Sequence, residues 1–175
     1  MYFHKTNGTV DYLESLKEKY PNTHLQANPN TAVLYYEDNE EKSAFETEQS
    51  YEIVDSKGDL SEDHPTYTVH IPAYGIGKST IISHLSDFRS ELDNVKGVKS
   101  YRIARKLDQD SYLVIVTFTS IDAYHDFKQT DTFKNYLTQD VLKKFQNEES
   151  MFQDFATSQL YFTVKEVEQD EEDEF

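Results

Sequence analysis

Residues 97–145, GVKSYRIARKLDQDSYLVIVTFTSIDAYHDFKQTDTFKNYLTQDVLKKF, decide the fold. The segment begins with a β-rich run that continues to Arg105, passes through a polar turn and enters an apolar, β-branched run, Tyr112–Phe118. Ser120 is then placed to cap a helix whose apolar face includes Phe127. A hairpin that leads directly into amphipathic helices is typical of α+β folds.

The elements on either side complete a domain that we place at residues 64–167. Tyr67, Val69 and Ile71 alternate with polar residues, which predicts a half-buried strand. The other predicted elements are a helix at 78–92, a helix that begins at an Asp131 cap and a final strand at 160–167. The resulting order, β-α-β-β-α-(α)-β, is the ferredoxin-like split βαβ pattern.

Residues 1–63 are predicted to form a small α+β domain of their own. Thr9 is placed to cap a helix, and three strands are expected near 24–27, 32–37 and 42–46. The segment Tyr51–Val54 is apolar, but its pattern does not decide between helix and strand. Residues 168–175 are nearly all acidic and are expected to be a disordered tail, because they have little apolar area to bury.

Composition excludes several classes of protein. The 175 residues include no Cys, which excludes disulfides, thiolate metal sites and cysteine nucleophiles. The net charge is −16, and residues 1–65 alone carry −9 (5 Lys+Arg against 14 Asp+Glu), so nucleic-acid binding is not expected. No apolar run is long enough to span a membrane. We therefore predict a cytoplasmic protein, with membrane association as the alternative.

Two short motifs, with a third segment, are similar to a known family. They are Lys99-Ser100-Tyr101-Arg102 and Asp126-Phe127-Lys128-Gln129-Thr130-Asp131, with Tyr51-Glu52-Ile53-Val54 ahead of Gly58. In this order and spacing they resemble the staphylococcal TRAP signal-transduction proteins and their bacillar heme-degrading monooxygenase relatives. These proteins carry an antibiotic biosynthesis monooxygenase (ABM) domain. The resemblance implies a dimeric α+β barrel, in which two split-βαβ sheets pack face to face.

The elements predicted from the residues also favour a barrel, because one face of their sheet would otherwise be uncovered. A four-stranded sheet with helices on one face leaves its other face bare, and the apolar area exposed there is too large for a soluble monomer. A second copy of the chain, or the N-terminal domain, would supply the missing cover. A homodimer is the expected partner arrangement.

The resemblance also implies where heme would be bound. Heme degraders of the family use an Asn on the first barrel strand, a Trp after the third strand and a His on the following helix. These positions fall near Val69, Phe127 and Leu137, and none of the three carries the family's residue. Leu137 has no lone pair for iron, and Phe127 keeps the aromatic bulk without the indole N–H.

Four other residues remain candidates for binding heme or another small apolar ligand. His84 lies at the flank of the apolar face of its helix, and His70 is next to Val69 but points to the opposite side of the strand. Arg102 and Arg105 could pair with propionate groups, although a solvated strand edge is the favoured explanation of them. No catalytic residue and no metal ligand is assigned.

Two main functional hypotheses follow, with a pure interaction module that acts through the acidic N-terminal domain as a third. The first is a TRAP-like ABM protein, active in regulation or oxidative-stress protection and without the usual heme-oxygenase site. The second is a heme-binding or heme-degrading monooxygenase with a rearranged site, in which His84 or His70 supplies the iron ligand.

Overall fold

The computed structural model describes residues 1–46, 49–145 and 155–173, which form one antiparallel sheet of eight strands with helices on its outside. The first half contains β1 (Tyr2–Gly8), α1 (Val10–Lys19), β2 (His24–Ala27), β3 (Ala32–Asp38) and β4 (Gln49–Lys57). The second half contains β5 (Thr66–Pro72), α2 (Ile76–Leu92), β6 (Val98–Lys106), β7 (Ser111–Phe118), α3 (Ile121–Lys128), α4 (Asp131–Tyr136), α5 (Gln139–Leu142), a 3-10 turn (Lys143–Phe145), β8 (Thr157–Tyr161) and α6 (Val164–Asp173).

The strand order is β2-β3-β1-β4-β6-β7-β5-β8, and it contains the same pattern twice. In each half the strands are ordered second, third, first, fourth, which is the ferredoxin-like order. The two halves are joined by antiparallel pairing of β4 with β6. The predicted ferredoxin-like α+β fold is confirmed, and the chain contains two copies of it.

The sheet also closes on itself. Ala27 at the end of β2 and Phe162 just after β8 exchange two backbone hydrogen bonds, with N···O distances of 2.9 and 2.8 Å. The outermost strands of the two halves therefore meet, so one chain forms a barrel. The sheet face of the C-terminal half that was expected to be bare is covered by the N-terminal half of the same chain. This is one of the two arrangements expected from the sequence.

Two layers of side chains cover the two faces of the C-terminal half. The helix layer is the apolar cluster between the outer sheet face and α2–α5; it includes Val69, Ile81, Phe88, Phe118 and Phe127. The barrel interior is the cluster enclosed by the strands; its buried members include Phe3, Val33, Tyr35, Tyr51, Ala104, Leu113, Ile115 and Tyr161. A third cluster lies between α1, α6 and the outer face of the first half.

The structure confirms the predicted N-caps of two helices and the predicted burial of one strand. Thr9 accepts a hydrogen bond from the Tyr12 amide, and Ser120 accepts one from the Ala123 amide. Every residue of β7 is buried, as its continuous apolar run predicts. The ambiguous segment Tyr51–Val54 lies in strand β4.

Other predictions are corrected. Residues 42–46 are not a strand, and the helix cap near 131 is Thr130, whose hydroxyl accepts from the Phe133 amide. The predicted last strand ends at Tyr161 and is followed by α6. Thr163 and Glu166 form a reciprocal capping box at the start of this helix, and Val167 packs against the first half of the barrel.

Helix α6 extends to Asp173, so most of the segment expected to be disordered is helical as far as it is described. The separation into domains at residues 63 and 64 stays a prediction, because continuous pairing of β4 with β6 does not show whether either half folds alone. Among the described residues, no helix has the length and apolar character needed to cross a membrane.

Candidate functional site

The three positions that the resemblance aligns with heme-site residues lie together in the helix layer. Val69 on β5, Phe127 on α3 and Leu137 after α4 are 2%, 1% and 4% exposed and belong to the same apolar cluster. The ring of Phe127 packs at centroid distances of 5.3 Å from Phe118 and 5.7 Å from Phe133. These side chains fill the space between sheet and helices, and none of the three positions offers a ligand for iron. The positions therefore do not fit heme.

His84 lies on the side of the helix layer, on α2. Its Nε2 is 2.9 Å from the Tyr136 carbonyl oxygen, to which it donates, and its ring packs against Tyr136 and Phe145 at 5.1 and 4.9 Å. Partial burial lowers the pKa of His84, and the hydrogen bond to Tyr136 opposes that shift. The half-buried neutral ring joins α2 to α4, and only Nδ1 is left to bind a ligand.

His70 lies on the opposite side of the sheet from Val69, as the one-residue offset requires. It pairs with Leu113 of β7, whose side chain belongs to the barrel interior. Because directly paired residues point to the same face of a sheet, His70 is on the interior side and His84 is outside. The two histidines are not brought together.

Arg102 is buried and fully engaged. Its Nε donates to both carboxylate oxygens of Glu37, at 3.0 and 3.1 Å. Nη1 donates to the carbonyls of Tyr101 and Lys57, at 2.8 and 3.1 Å, and Nη2 donates to the Gly58 carbonyl at 2.8 Å. Glu37 is on β3 and Arg102 is on β6, so this ion pair links the two halves of the barrel. The guanidinium has little capacity left for an external carboxylate.

Arg105 is three residues further along β6 but on the outer surface. Its Nη2 donates to Glu52 of β4 at 2.8 Å, and the two side chains are 52% and 46% exposed. The five candidate residues therefore divide between three places: Phe127 and His84 in the helix layer, His70 and Arg102 on the interior side, and Arg105 on the surface.

The barrel interior leaves very little free space. Tyr35 donates a 2.7 Å hydrogen bond from its hydroxyl to Gln26 Oε1, and burial raises the pKa of Tyr35. The remaining cavity is about 20 Å³, and Lys5 is the cation on its wall. Burial, with a smaller contribution from Lys106, lowers the pKa of Lys5 to about 8. This cavity is the size of one water molecule and cannot hold a macrocycle.

Two further polar features lie outside the five candidate residues. The side chains of His4, Asp38 and Ser50 meet on three adjacent strands of the sheet. Asp38 and Ser50 are 34 or more positions from His4 in the sequence, so no short motif contains them. His64 is half-buried, and its Nδ1 is 2.9 Å from Ser61 Oγ. Among the described residues, no group of three or more His, Asp or Glu could hold a metal ion.

Comparison with known proteins agrees with this architecture. The family model described as antibiotic biosynthesis monooxygenase (ABM) matches residues 78–139, which run from α2 into α5. A signal transduction protein TRAP from Staphylococcus epidermidis is 27% identical over 146 residues, which cover 83% of this chain and 87% of that protein.

Two solved structures share the fold. One is described as a major regulator of staphylococcal pathogenesis; it has a TM-score of 0.81 at 22% identity and covers 94% of this chain and 99% of its own. The other is a heme-degrading enzyme from Listeria monocytogenes, with a TM-score of 0.71 at 19% identity and coverage of 93% and 99%. The chain thus matches the ABM family model over residues 78–139 and is similar over most of its length to the staphylococcal signal transduction protein TRAP.

Proposed function

We propose that this chain is a TRAP-like ABM protein that acts in regulation or oxidative-stress protection and does not degrade heme. The observation that supports it is the packing of Val69, Phe127 and Leu137 in one apolar cluster, each at most 4% exposed. An oxygenase needs an iron ligand and a polar group near the bound oxygen, and these positions supply neither. The similarity to proteins named signal transduction protein TRAP supports the regulatory part of the proposal.

A heme-turnover assay tests this proposal. The purified protein is mixed with hemin and a reductant in air, and the Soret band is followed over time. We expect the band to decay no faster than with bovine serum albumin, a heme-binding protein that is not an oxygenase. Protein-dependent loss of the band with formation of an open tetrapyrrole would contradict the proposal.

Heme binding at a rearranged site is the second candidate. His84 favours it, because its ring is only half-buried and its Nδ1 makes no hydrogen bond within the described part of the chain. The structural similarity to the heme-degrading Listeria enzyme adds a reason to test it. If His84 or His70 ligates the iron, the Soret spectrum of bound heme will change in His84→Ala or His70→Ala. A spectrum that neither substitution changes removes this candidate.

We also propose that the protein is a homodimer in the cytoplasm. Since the barrel interior is covered within one chain, the contact would use the outer surface. Val54 and Ile82 are 54% and 55% exposed and line one cleft between β4 and α2, with Ile103 at its base. Light scattering should give twice the chain mass of 20.5 kDa, and Ile82→Asp should give the single mass. A wild-type protein of single-chain mass at micromolar concentration would contradict the dimer.

A further inference from the structure

A serine, a histidine and an aspartate meet on the outer face of the first half of the barrel. In the strand register, His4 of β1 lies opposite Ser50 of β4 on one side and Tyr36 of β3 on the other. Because alternate residues of a strand share a face, Asp38 lies on the same face as Tyr36. His4 Nδ1 is 2.7 Å from Ser50 Oγ, and His4 Nε2 is 3.2 Å from Asp38 Oδ1.

The hydrogen bonds determine the tautomer of His4. Nε2 is within 3.2 Å of the Asp38 carboxylate and 2.8 Å of the Glu40 carbonyl, and both groups only accept hydrogen bonds. The proton of the neutral ring is therefore on Nε2, and Nδ1 carries the lone pair. The Ser50 hydroxyl must then donate to Nδ1. These are the parts of a hydroxyl nucleophile with its general base and an orienting carboxylate, with the two ring nitrogens exchanged relative to the serine-protease triad.

The histidine is held rigidly. Its side chain is 0% exposed, and its ring packs on Tyr36 with centroids 4.9 Å apart. A base fixed in this way requires no rearrangement before it accepts the serine proton.

Ser50 also borders an open space. It lines a surface cleft of about 540 Å³ together with Glu41, Lys42, Leu107 and Asp108. The volume is in the range of small-molecule sites. Two carboxylates and one ammonium give the cleft a net charge of −1, which disfavours phosphate esters and other anions. Leu107 is 37% exposed and offers an apolar contact for an alkyl chain.

We propose that Ser50 is a nucleophile for acyl transfer from a short, uncharged carboxylic ester bound in this cleft. The serine oxygen forms a bond to the carbonyl carbon while its proton passes to His4 Nδ1. The carbon–oxygen bond to the leaving alcohol then breaks, and the alcohol takes the proton from Nδ1. Water attacks the acyl-serine with His4 again as the base, which releases the acid and restores the hydroxyl. Nothing is oxidised or reduced.

An active-site label tests the assignment. The full-length protein is incubated with an alkyl fluorophosphonate, which reacts with serines that have an activating base, and the adduct is located by peptide mass spectrometry. We expect one adduct on Ser50 and none on Ser56, an exposed serine of the same strand that has no histidine partner. Ser50→Ala should abolish labelling, and Ser56→Ala should not change it.

The role of His4 as the general base is tested by the rate at which Ser50 is labelled. His4→Gln should slow labelling roughly 100-fold or more, the range of general-base contributions, and Asp38→Asn should slow it by less. Circular dichroism is used to establish that each variant is folded; if His4→Gln is not, Asp38→Asn, whose side chain is partly exposed, carries the comparison. Absence of a Ser50 adduct in the folded wild-type protein, or equal labelling rates in the wild type and the folded variants, would overturn the proposal.

Discussion

The two faces of the β5–β8 half of the sheet differ in what fills them. The helix layer is built from aliphatic and aromatic side chains, and the three positions that the resemblance aligns with heme-site residues are buried in it, each at most 4% exposed. The interior side carries aromatic rings as well, but it also holds Lys5, Gln26 and the Arg102–Glu37 ion pair. The face on which the resemblance places a cofactor is thus apolar, whereas the interior side of the barrel contains charged side chains.

Phe127→Ala should give the largest effect. Removing a fully buried aromatic ring from the helix layer should lower the free energy of unfolding by about 4 kcal/mol, measured by urea denaturation. Phe155, which is 52% exposed, provides the matched control. Phe155→Ala should change stability by less than about 0.5 kcal/mol. A loss of less than about 1 kcal/mol at Phe127 would mean that the layer is loosely packed and could admit a ligand.

Glu37→Leu should be the next most damaging substitution. It leaves the Arg102 guanidinium buried without its carboxylate, which should cost about 3 kcal/mol in unfolding free energy. The matched control is Glu52→Leu, since Glu52 pairs with Arg105 on the same strand but at the surface. That substitution should cost about 0–1 kcal/mol. Equal losses would show that the interior pair is as well solvated as the surface pair.

Lys5→Met tests the charge in the interior. Burial lowers the pKa of Lys5 to about 8, so the unfolded chain binds more protons than the folded chain between pH 8 and 10.5. The free energy of unfolding should therefore rise with pH from about 8 until tyrosine ionisation opposes it near pH 10. Lys5→Met should remove that rise and stabilise the protein at pH 7 by about 2 kcal/mol.

The exposed Lys99→Met is the control for this experiment and should leave the pH profile unchanged. A profile that is flat from pH 8 to 10 in the wild-type protein would show that Lys5 is in contact with bulk water.

His84 should give the smallest effect. Because burial lowers its pKa, stability should fall as the pH drops below about 6.5, where the unfolded histidine takes up a proton and the folded one resists it. Thermal melts at pH 7 and pH 5 should show a smaller difference for His84→Gln than for the wild type. His125→Gln, at an exposed position, should retain the wild-type difference. An identical pH effect in all three proteins would contradict the packing of His84 against Tyr136.

Much of this comparison is visible in the sequence. Period-2 alternation places Val69 and His70 on opposite faces, and the continuous apolar run of β7 predicts burial on both. The cap at Ser120 and the helical spacing of Phe127 predict the helix layer correctly. These features are local, so residue types along the chain are sufficient to predict them.

Contacts between strands that are distant in the chain could not be predicted in the same way. The pairing of Arg102 with Glu37 joins residues 65 positions apart and depends on β4 aligning with β6. His4 meets Ser50 across 46 positions for the same reason, since strand register is set by the closed sheet. The end of β8 was misplaced because Phe162, Val164 and Val167 suit a strand as well as the helical face that packs on β2.

Equilibrium titration with hemin tests most directly whether the helix layer is filled. The wild-type protein and Phe127→Ala are titrated with hemin at micromolar concentration, and the absorbance is recorded around the Soret band. A filled layer predicts that the wild-type spectrum remains that of free hemin through two equivalents. A shifted Soret band that saturates at one equivalent in the wild type, and is weakened by Phe127→Ala, would contradict it.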